Sequence, residues 1–418
     1  KPADMARGAG SAVRARVVEE APASAEDRKK PPVKQDVHKE DAAPKQEAAP
    51  SSTPKPKKQP TVTKGTDLQD VYQPASQSAS LGTLIPKNMA APIRDALENL
   101  REKHGDIDAF VAKELGYKDA AELAGRFAGE QVDAIALAID NMSRGAGFIT
   151  GDQTGIGKGR VNAAIIRWAK RNGKTPVFVT MKPELYADMI RDLNDIGETG
   201  FNPLPTNKLR GKNAIALPDG GKLESPSNLD KVIAKAISQG KLEGFDGIFT
   251  TYSQLAPSNG KDSPRRELLR SLNENTVLIL DESHNAGGSD KGKYKKKDAA
   301  KSTGSFLRER IAESPNGVFY SSATYAKRPD VMSLYAKTDM QHAVEDLDQL
   351  TEIMSRGGIP MQQAVATMLT QAGQYIRREK SFEGATVDTA PAPVDMKVAE
   401  RTAGIMGRIM AFDTAREG

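Results

Sequence analysis

Five short apolar runs constrain the fold of this chain more than any other feature: 147–150 (GFIT), 176–180 (PVFVT), 247–252 (GIFTTY), 276–281 (TVLILD) and 317–323 (GVFYSSA). Each is close to continuous in strand-forming residues instead of alternating with polar ones. Stretches with helical spacing separate them, such as GRVNAAIIRWAKRNGK after the first run and PELYADMIRDLNDIG after the second. Strands that are apolar on both faces need cover on both faces, and intervening helices supply it by making the strands parallel. The expected fold class is therefore α/β with a mainly parallel sheet.

The flanks read differently. Apolar residues three and four apart between about 90 and 143 predict several short helices. Residues 1–82 are rich in Pro, Lys, Ala, Ser and Glu and poor in large apolar residues. In a chain of only 38% apolar residues with a mean hydropathy of −0.54, that stretch is expected to be a disordered tail. Downstream, EDLDQLTEIMSRG and MQQAVATMLTQAGQYIRREK are predicted as helices, followed by an extended piece and a final helix. The expected organisation is a tail over 1–82, a helical extension over 83–143, an α/β lobe over 144–395 and the start of a connection over 396–418.

Composition excludes several chemistries. There is no cysteine, hence no disulfide, cysteine-bound zinc or cysteine nucleophile, and the four histidines are scattered. A reducing, cytoplasmic setting fits this, and no apolar run is long enough to cross a bilayer. A net charge of +5 permits a nucleic-acid partner without arguing for one.

The chemistry concentrates at the ends of the apolar runs. GDQTGIGKGR, 151–160, lies between the first strand and a helix, the context of a phosphate-binding loop. Gly151, Gly155, Gly157 and Gly159 let successive N–H groups turn toward an anion, and the helix start adds its positive end. Lys158 would then reach the β- and γ-phosphates of ATP. Two positions break the usual loop pattern: Asp152 replaces the first glycine, and Gly159 replaces the Ser or Thr that would ligate Mg²⁺. The metal would then lean on the phosphates, water, Asp281 and Thr154. Asp281 and Glu282 close the fourth strand, where acidic side chains face the ligand crevice of a parallel sheet. Asp281 would hold Mg²⁺ and Glu282 would polarise the attacking water. Ser321 to Thr324 end the fifth run, with small hydroxyls placed to sense the γ-phosphate site. The lysine-rich 289–301 around Tyr294 reads first as a solvated loop and second as a nucleic-acid contact.

Taken in order, the loop, Asp-Glu-Ser-His at 281–284 and Ser-Ala-Thr at 322–324 resemble the first RecA-like lobe of a superfamily 2 helicase or translocase. GFITGDQTGIGKGR is similar, more narrowly, to the strawberry notch family, with Asp152 and the Gly159-Arg160 pair as family features. The likeness takes in FAGEQVDAIALAI, GIFTTYSQL and YIRREKSFEG, spans about 85–418, and is nearest to phage and mobile-element versions of the Dar anti-restriction type. It implies an ATP-binding P-loop lobe in which Gln131 reads adenine and Arg160 adds charge near the phosphates. It also implies that His284, Ser322 and Thr324 couple the site to a second lobe, and that Lys182, Thr251 and Tyr252 grip nucleic acid, DNA with RNA as the alternative. No second α/β alternation follows 324, so the second lobe and its arginine finger are expected to be missing from this chain. The implied activity is nucleic-acid-stimulated ATP hydrolysis in a bacterial or phage-associated cytoplasmic setting. The rival is a non-catalytic anti-restriction or scaffolding module.

Overall fold

The computed structural model describes residues 68–258, 261–286, 302–323, 329–342, 347–381, 400–401 and 403–405. It opens with two short strands, β1 (Gln69–Val71) and β2 (Thr83–Pro86), and four helices, α1 (Lys87–His104), α2 (Ile107–Leu115), α3 (Ala120–Ala124) and α4 (Gly129–Ser143). The α/β alternation follows: β3 (Gly147–Thr150), α5 (Lys158–Arg171), β4 (Thr175–Thr180), α6 (Leu185–Asp195) and β5 (Pro203–Pro205). A hairpin, β6 (Ile215–Ala216) and β7 (Lys222–Leu223), precedes α7 (Leu229–Gln239), β8 (Gly247–Thr251) and α8 (Pro264–Ser271). Then follow β9 (Thr276–Asp281), α9 (Thr303–Glu313), β10 (Val318–Ser321), α10 (Leu347–Gln371), β11 (Tyr375–Ile376) and β12 (Glu379–Lys380).

Seven strands form one parallel sheet in the order β11-β3-β10-β9-β4-β8-β5. Every residue of β3, β8 and β10 is buried, which is what continuous apolar runs demand. Phe249 of β8 packs against Phe178, Tyr186 and Phe201; burying each such ring is worth about 1.5–3 kcal/mol. Helices α4, α5 and α6 pack side by side, as do α7 with α8 and α8 with α9. From β3 the chain steps over two positions to β4 and on to β5, then returns through β8 and β9 to β10, so the connections leaving the neighbouring strands β3 and β10 run in opposite directions across the sheet. The carboxyl ends of β3, β10 and β9 thus open onto a crevice.

Two expectations are corrected and one strand is added. The tail does not extend to 82: residues 68–82 belong to the fold, with Tyr72 buried. Buried carboxylates hold this segment where its own apolar content does not. Asp133 accepts from Tyr72 Oη at 2.7 Å, Ala75 N at 2.9 Å and Ser76 N at 3.0 Å. Asp108 accepts from Gln77 N, and Glu130 from Ser80 Oγ, Leu81 N and Thr83 Oγ1. Second, the helix predicted over MQQAVATMLTQAGQYIRREK stops at Gln371, and Tyr375–Ile376 instead joins the sheet beside β3. Third, the strand Pro203–Pro205 completes the far edge of the sheet. Its prolines are tolerated because an edge strand leaves one side of its backbone unpaired. The lysine-rich 289–301 and Thr324 lie outside the described residues.

Asp133 carries a measurable consequence. Burial pushes its carboxyl up to about 6, against the opposing pull of Tyr72 and the backbone donors. An unfolded Asp releases its proton near pH 4, whereas the folded chain keeps it until about pH 6, so the folded state holds the extra proton in between. Stability is therefore expected to fall as pH rises through that window, by about 1–3 kcal/mol. Denaturation midpoints at pH 4.5, 5.5 and 6.5 should show this slope in the parent and a flatter one in Asp133→Asn; equal slopes would refute it.

Candidate nucleotide-binding site

The loop between β3 and α5 has the backbone its glycines imply. Gly155 and Gly157 take φ of 92° and 95°, a region that side chains with a Cβ rarely adopt. Gly157 is also crowded, since a Cβ there would lie 2.1 Å from Gln131 Nε2. The Gln131 side chain braces the loop: Nε2 donates to the Ile156 carbonyl at 3.0 Å and Oε1 accepts from Ala128 N at 3.1 Å. Ile156 is buried beneath the turn. Lys158 opens α5, and its Nζ donates to the Asp152 carbonyl at 2.8 Å, folding the ammonium back over the loop.

Opposite the loop, strand register sets three side chains in one row. Ser321 of β10 pairs with Thr150 of β3 on one side and with Asp281 of β9 on the other. Asp281 accepts from Thr180 Oγ1 at 2.9 Å and Asn162 Nδ2 at 3.3 Å. Burial raises the Asp281 carboxyl above the usual range and the neighbouring Glu282 adds to this, while Thr180, Asn162 and Lys158 pull it down. A carboxylate half-stripped of water in this way gains from a cation. Thr150 Oγ1, Asn162 Oδ1 and Ser321 Oγ are buried and have no hydrogen-bond partner among the described residues. Orphaned buried oxygens of this kind need a ligand, an ion or water to complete them. The donor set, all oxygen, fits a hard cation such as Mg²⁺.

Glu282 follows in a left-handed conformation, φ 47° and ψ 51°, the one residue other than glycine with positive φ among those described. Such strain costs about 1–3 kcal/mol and aims a side chain where regular strand geometry would not. His284 Nδ1 lies 2.8 Å from Ser322 Oγ and 3.4 Å from Glu282 Oε2, linking the ends of β9 and β10. Two of the three expected coupling residues, His284 and Ser322, are thus brought together.

Other expected site residues go elsewhere. The Asp152 carboxylate does not face the loop mouth. It is buried in an ion pair with Arg378, accepting from Arg378 N at 2.8 Å, Nε at 3.0 Å and a terminal guanidinium nitrogen at 2.6 Å. A carboxylate at this position is explained by that partner, which sequence reading missed. Arg160 turns to Asp195, at 3.1 Å, and the Arg126 carbonyl, which engages its guanidinium away from a phosphate. Tyr252 is buried, and its Oη donates to the Asp281 carbonyl at 2.8 Å; it ties β8 to β9 instead of presenting a ring to nucleic acid. Thr251 is buried too, with its hydroxyl 2.9 Å from Ser253 Oγ. Lys182 and Thr154 are exposed.

The missing hydroxyl at 159 has a steric counterpart. A Cβ on Gly159 would lie 1.9 Å from Asp192 Oδ2 of α6. Gly159→Ser is therefore expected to turn the Asp192 carboxylate away and loosen its pairing with Arg191, at a cost of about 0.5–1 kcal/mol. Adding Asp192→Ala should recover most of the loss, as thermal melting of the single and double variants would show; an unchanged melt for Gly159→Ser would contradict the clash.

Residues 115–401 match the family described as P-loop containing NTP hydrolase pore-1. Over 264 residues the chain is 28% identical to the protein strawberry notch of Drosophila melanogaster, covering 60% of this chain and 14% of that protein. Over 257 residues it is 30% identical to strawberry notch homolog 1 of Gallus gallus, covering 58% and 18%. The chain thus spans under a fifth of the length of these relatives. Among solved structures, the Sulfolobus solfataricus SWI2/SNF2 ATPase core in complex with dsDNA overlaps with a TM-score of 0.39 at 14% identity, over 60% of this chain and 44% of that one.

Proposed function

We propose, because the chain belongs to the P-loop containing NTP hydrolase pore-1 family, that it binds ATP with Mg²⁺ and hydrolyses the bond to the terminal phosphate. In this reading it is the first lobe of a nucleic-acid-stimulated helicase or translocase of strawberry notch type. The observation that carries the reading is the convergence at one crevice of the glycine loop with Lys158, the row Thr150–Ser321–Asp281, and the strained Glu282.

The residues divide the work as follows. N–H groups of the loop and the start of α5 bind the phosphates, and Lys158 moves from the Asp152 carbonyl to the β- and γ-oxygens. Asp281, held by Thr180 and Asn162, anchors the cation through its carboxylate. Magnesium, when bound, would screen the charge that develops on the phosphate oxygens. Glu282 orients a water and takes its proton as the water oxygen bonds to the γ-phosphorus and the bond to ADP breaks. His284 and Ser322 link that carboxylate to the end of β10.

Stimulation by nucleic acid follows from the same contacts. Thr180 is bonded to Asp281, and the next two residues, Met181 and Lys182, are exposed. A backbone phosphate bound at Lys182 would thus lie two residues from a ligand of the catalytic carboxylate. The test is ATP turnover by the chain with and without single- and double-stranded DNA, beside ATP binding by Lys158→Ala. DNA-stimulated turnover supports the motor reading; ATP binding that survives Lys158→Ala undiminished would overturn the nucleotide site itself.

A further inference from the structure

The phosphate loop has a second strand running beside it. Gln374, Ile376 and Arg378 offer their carbonyls in turn to the N–H groups of Ile149, Gly151 and Gln153, at 2.8, 2.7 and 2.8 Å. The ladder between β11 and β3 therefore does not stop at Thr150, where β3 stops. It continues into the loop with the two-residue step of a parallel pair. The last backbone rung is Gln153 with Arg378; one further step by count sets Gly155 beside Lys380, which on its other side pairs with Thr83 of β2.

Side-chain geometry agrees with that register. Lys380 N donates to Gln153 Oε1 at 2.9 Å, and its ammonium lies 3.1 Å from the point a Cβ on Gly155 would occupy. The ammonium hangs over the turn whose N–H groups form the anion cradle. Its neighbours are committed elsewhere: Arg378 to Asp152, and Glu379 to Arg377 and Gln69. Among the described residues nothing pairs with the Lys380 ammonium. Held beside a nest of N–H groups, an unpaired cation adds to a positive potential that only an anion relieves. The glycine at 159 sharpens the need, because without a hydroxyl there the protein offers the metal one ligand fewer and direct cations must neutralise more of the phosphate charge.

We propose that Lys380 is a second phosphate-binding cation of the loop, delivered to Gly155 by the ladder that extends from β11, with Arg378 as the positioning residue that fixes its register. The proposal rests on the nucleotide reading above and extends it to a residue 227 positions from the loop's Gln153.

The experiment is binding of a fluorescent ATP analogue and its displacement by ATP, measured on the whole chain at low and moderate salt for the parent, Lys380→Met, Lys380→Arg and Lys158→Ala. Lys380→Met is expected to weaken ATP binding about fivefold to tenfold, as loss of one charge-assisted contact would, and to flatten its salt dependence. Lys380→Arg, which keeps the charge, should stay near the parent, and Lys158→Ala should lose more than either. Parent-like affinity and salt dependence in Lys380→Met, with Lys158→Ala weakened, would overturn the role of Lys380 and leave the nucleotide site standing. Equal weakening in Lys380→Met and Lys380→Arg would also overturn it, because the effect would then belong to packing. A parent chain that binds no ATP would overturn both readings.

Discussion

Arg378→Met is expected to lower the free energy of unfolding by about 3–5 kcal/mol, the cost of leaving a buried carboxylate without its counterion. Arg378 is fully buried, bonds Asp152 through its main chain and two guanidinium nitrogens, and stacks 4.9 Å from the Tyr72 ring centroid. Removing it strands the Asp152 charge inside the protein, with water unable to replace the lost donors. The effect should not be the sum of two independent losses. Asp152→Ala on the Arg378→Met background removes the stranded charge, and the double variant should recover a large part of the stability, since apolar replacement of a whole buried pair is often near neutral. Urea denaturation of the two single variants and the double variant measures all three values. A loss below about 1 kcal/mol for Arg378→Met would mean that the pair is hydrated and the account of the loop's support is wrong.

Glu282→Gln should separate binding from chemistry. Glutamine is isosteric and keeps a hydrogen-bonding oxygen, but it cannot accept the proton of the attacking water. Turnover is expected to fall about 10²- to 10³-fold while ATP affinity stays within about twofold. Rapid-quench turnover beside equilibrium ATP binding would show it, and a turnover loss under tenfold would remove Glu282 from the role of base. The backbone adds a second readout. With φ at 47°, Glu282 occupies a conformation that glycine adopts without penalty. Glu282→Gly should thus abolish turnover yet raise stability by up to about 1 kcal/mol. Strain kept at a residue whose removal stabilises the fold is the signature of a side chain held for chemistry.

Much of the sheet was legible because burial on both faces leaves a one-dimensional trace. The runs at 147–150, 176–180 and 276–281 announce themselves by continuous apolar content, and the glycine loop by its place between strand and helix. What the sequence hid depends on partners far along the chain. Gln69–Val71 carries little apolar surface, and its neighbours up to 82 are fixed by Asp108, Glu130 and Asp133, carboxylates whose burial no local pattern reveals. Pro203–Pro205 is bracketed by the residue that ordinarily argues against a strand, and only its edge position makes it possible. Tyr375–Ile376 is two residues long, too short for any periodicity, and was absorbed into the preceding helix. At the site, strand-end position points to Asp281 and Glu282 but gives no sign that Tyr252 is buried, because an aromatic beside Thr and Ser reads the same whether its hydroxyl meets a carbonyl or a nucleic acid. Asp152 gives no local sign of its structural role, because its counterion lies 226 positions away. The pair could have been suspected from an unmatched arginine in YIRREK, had the segment been read as a strand.

The ladder along the phosphate loop has a consequence for how the molecule is born. Its three rungs and, among the described residues, the counterion of Asp152 come from Gln374, Ile376 and Arg378, so a ribosome that has released the chain up to about residue 300 holds β3 and the loop sequence but not the loop's support. Contacts this distant in sequence form late, after the entropy of closing a long loop has been overcome. The nascent chain therefore acquires its nucleotide cradle only once residues near 378 have emerged, and a product released before Gln374 would carry the whole loop motif with neither its flanking strand nor the partner of its buried aspartate.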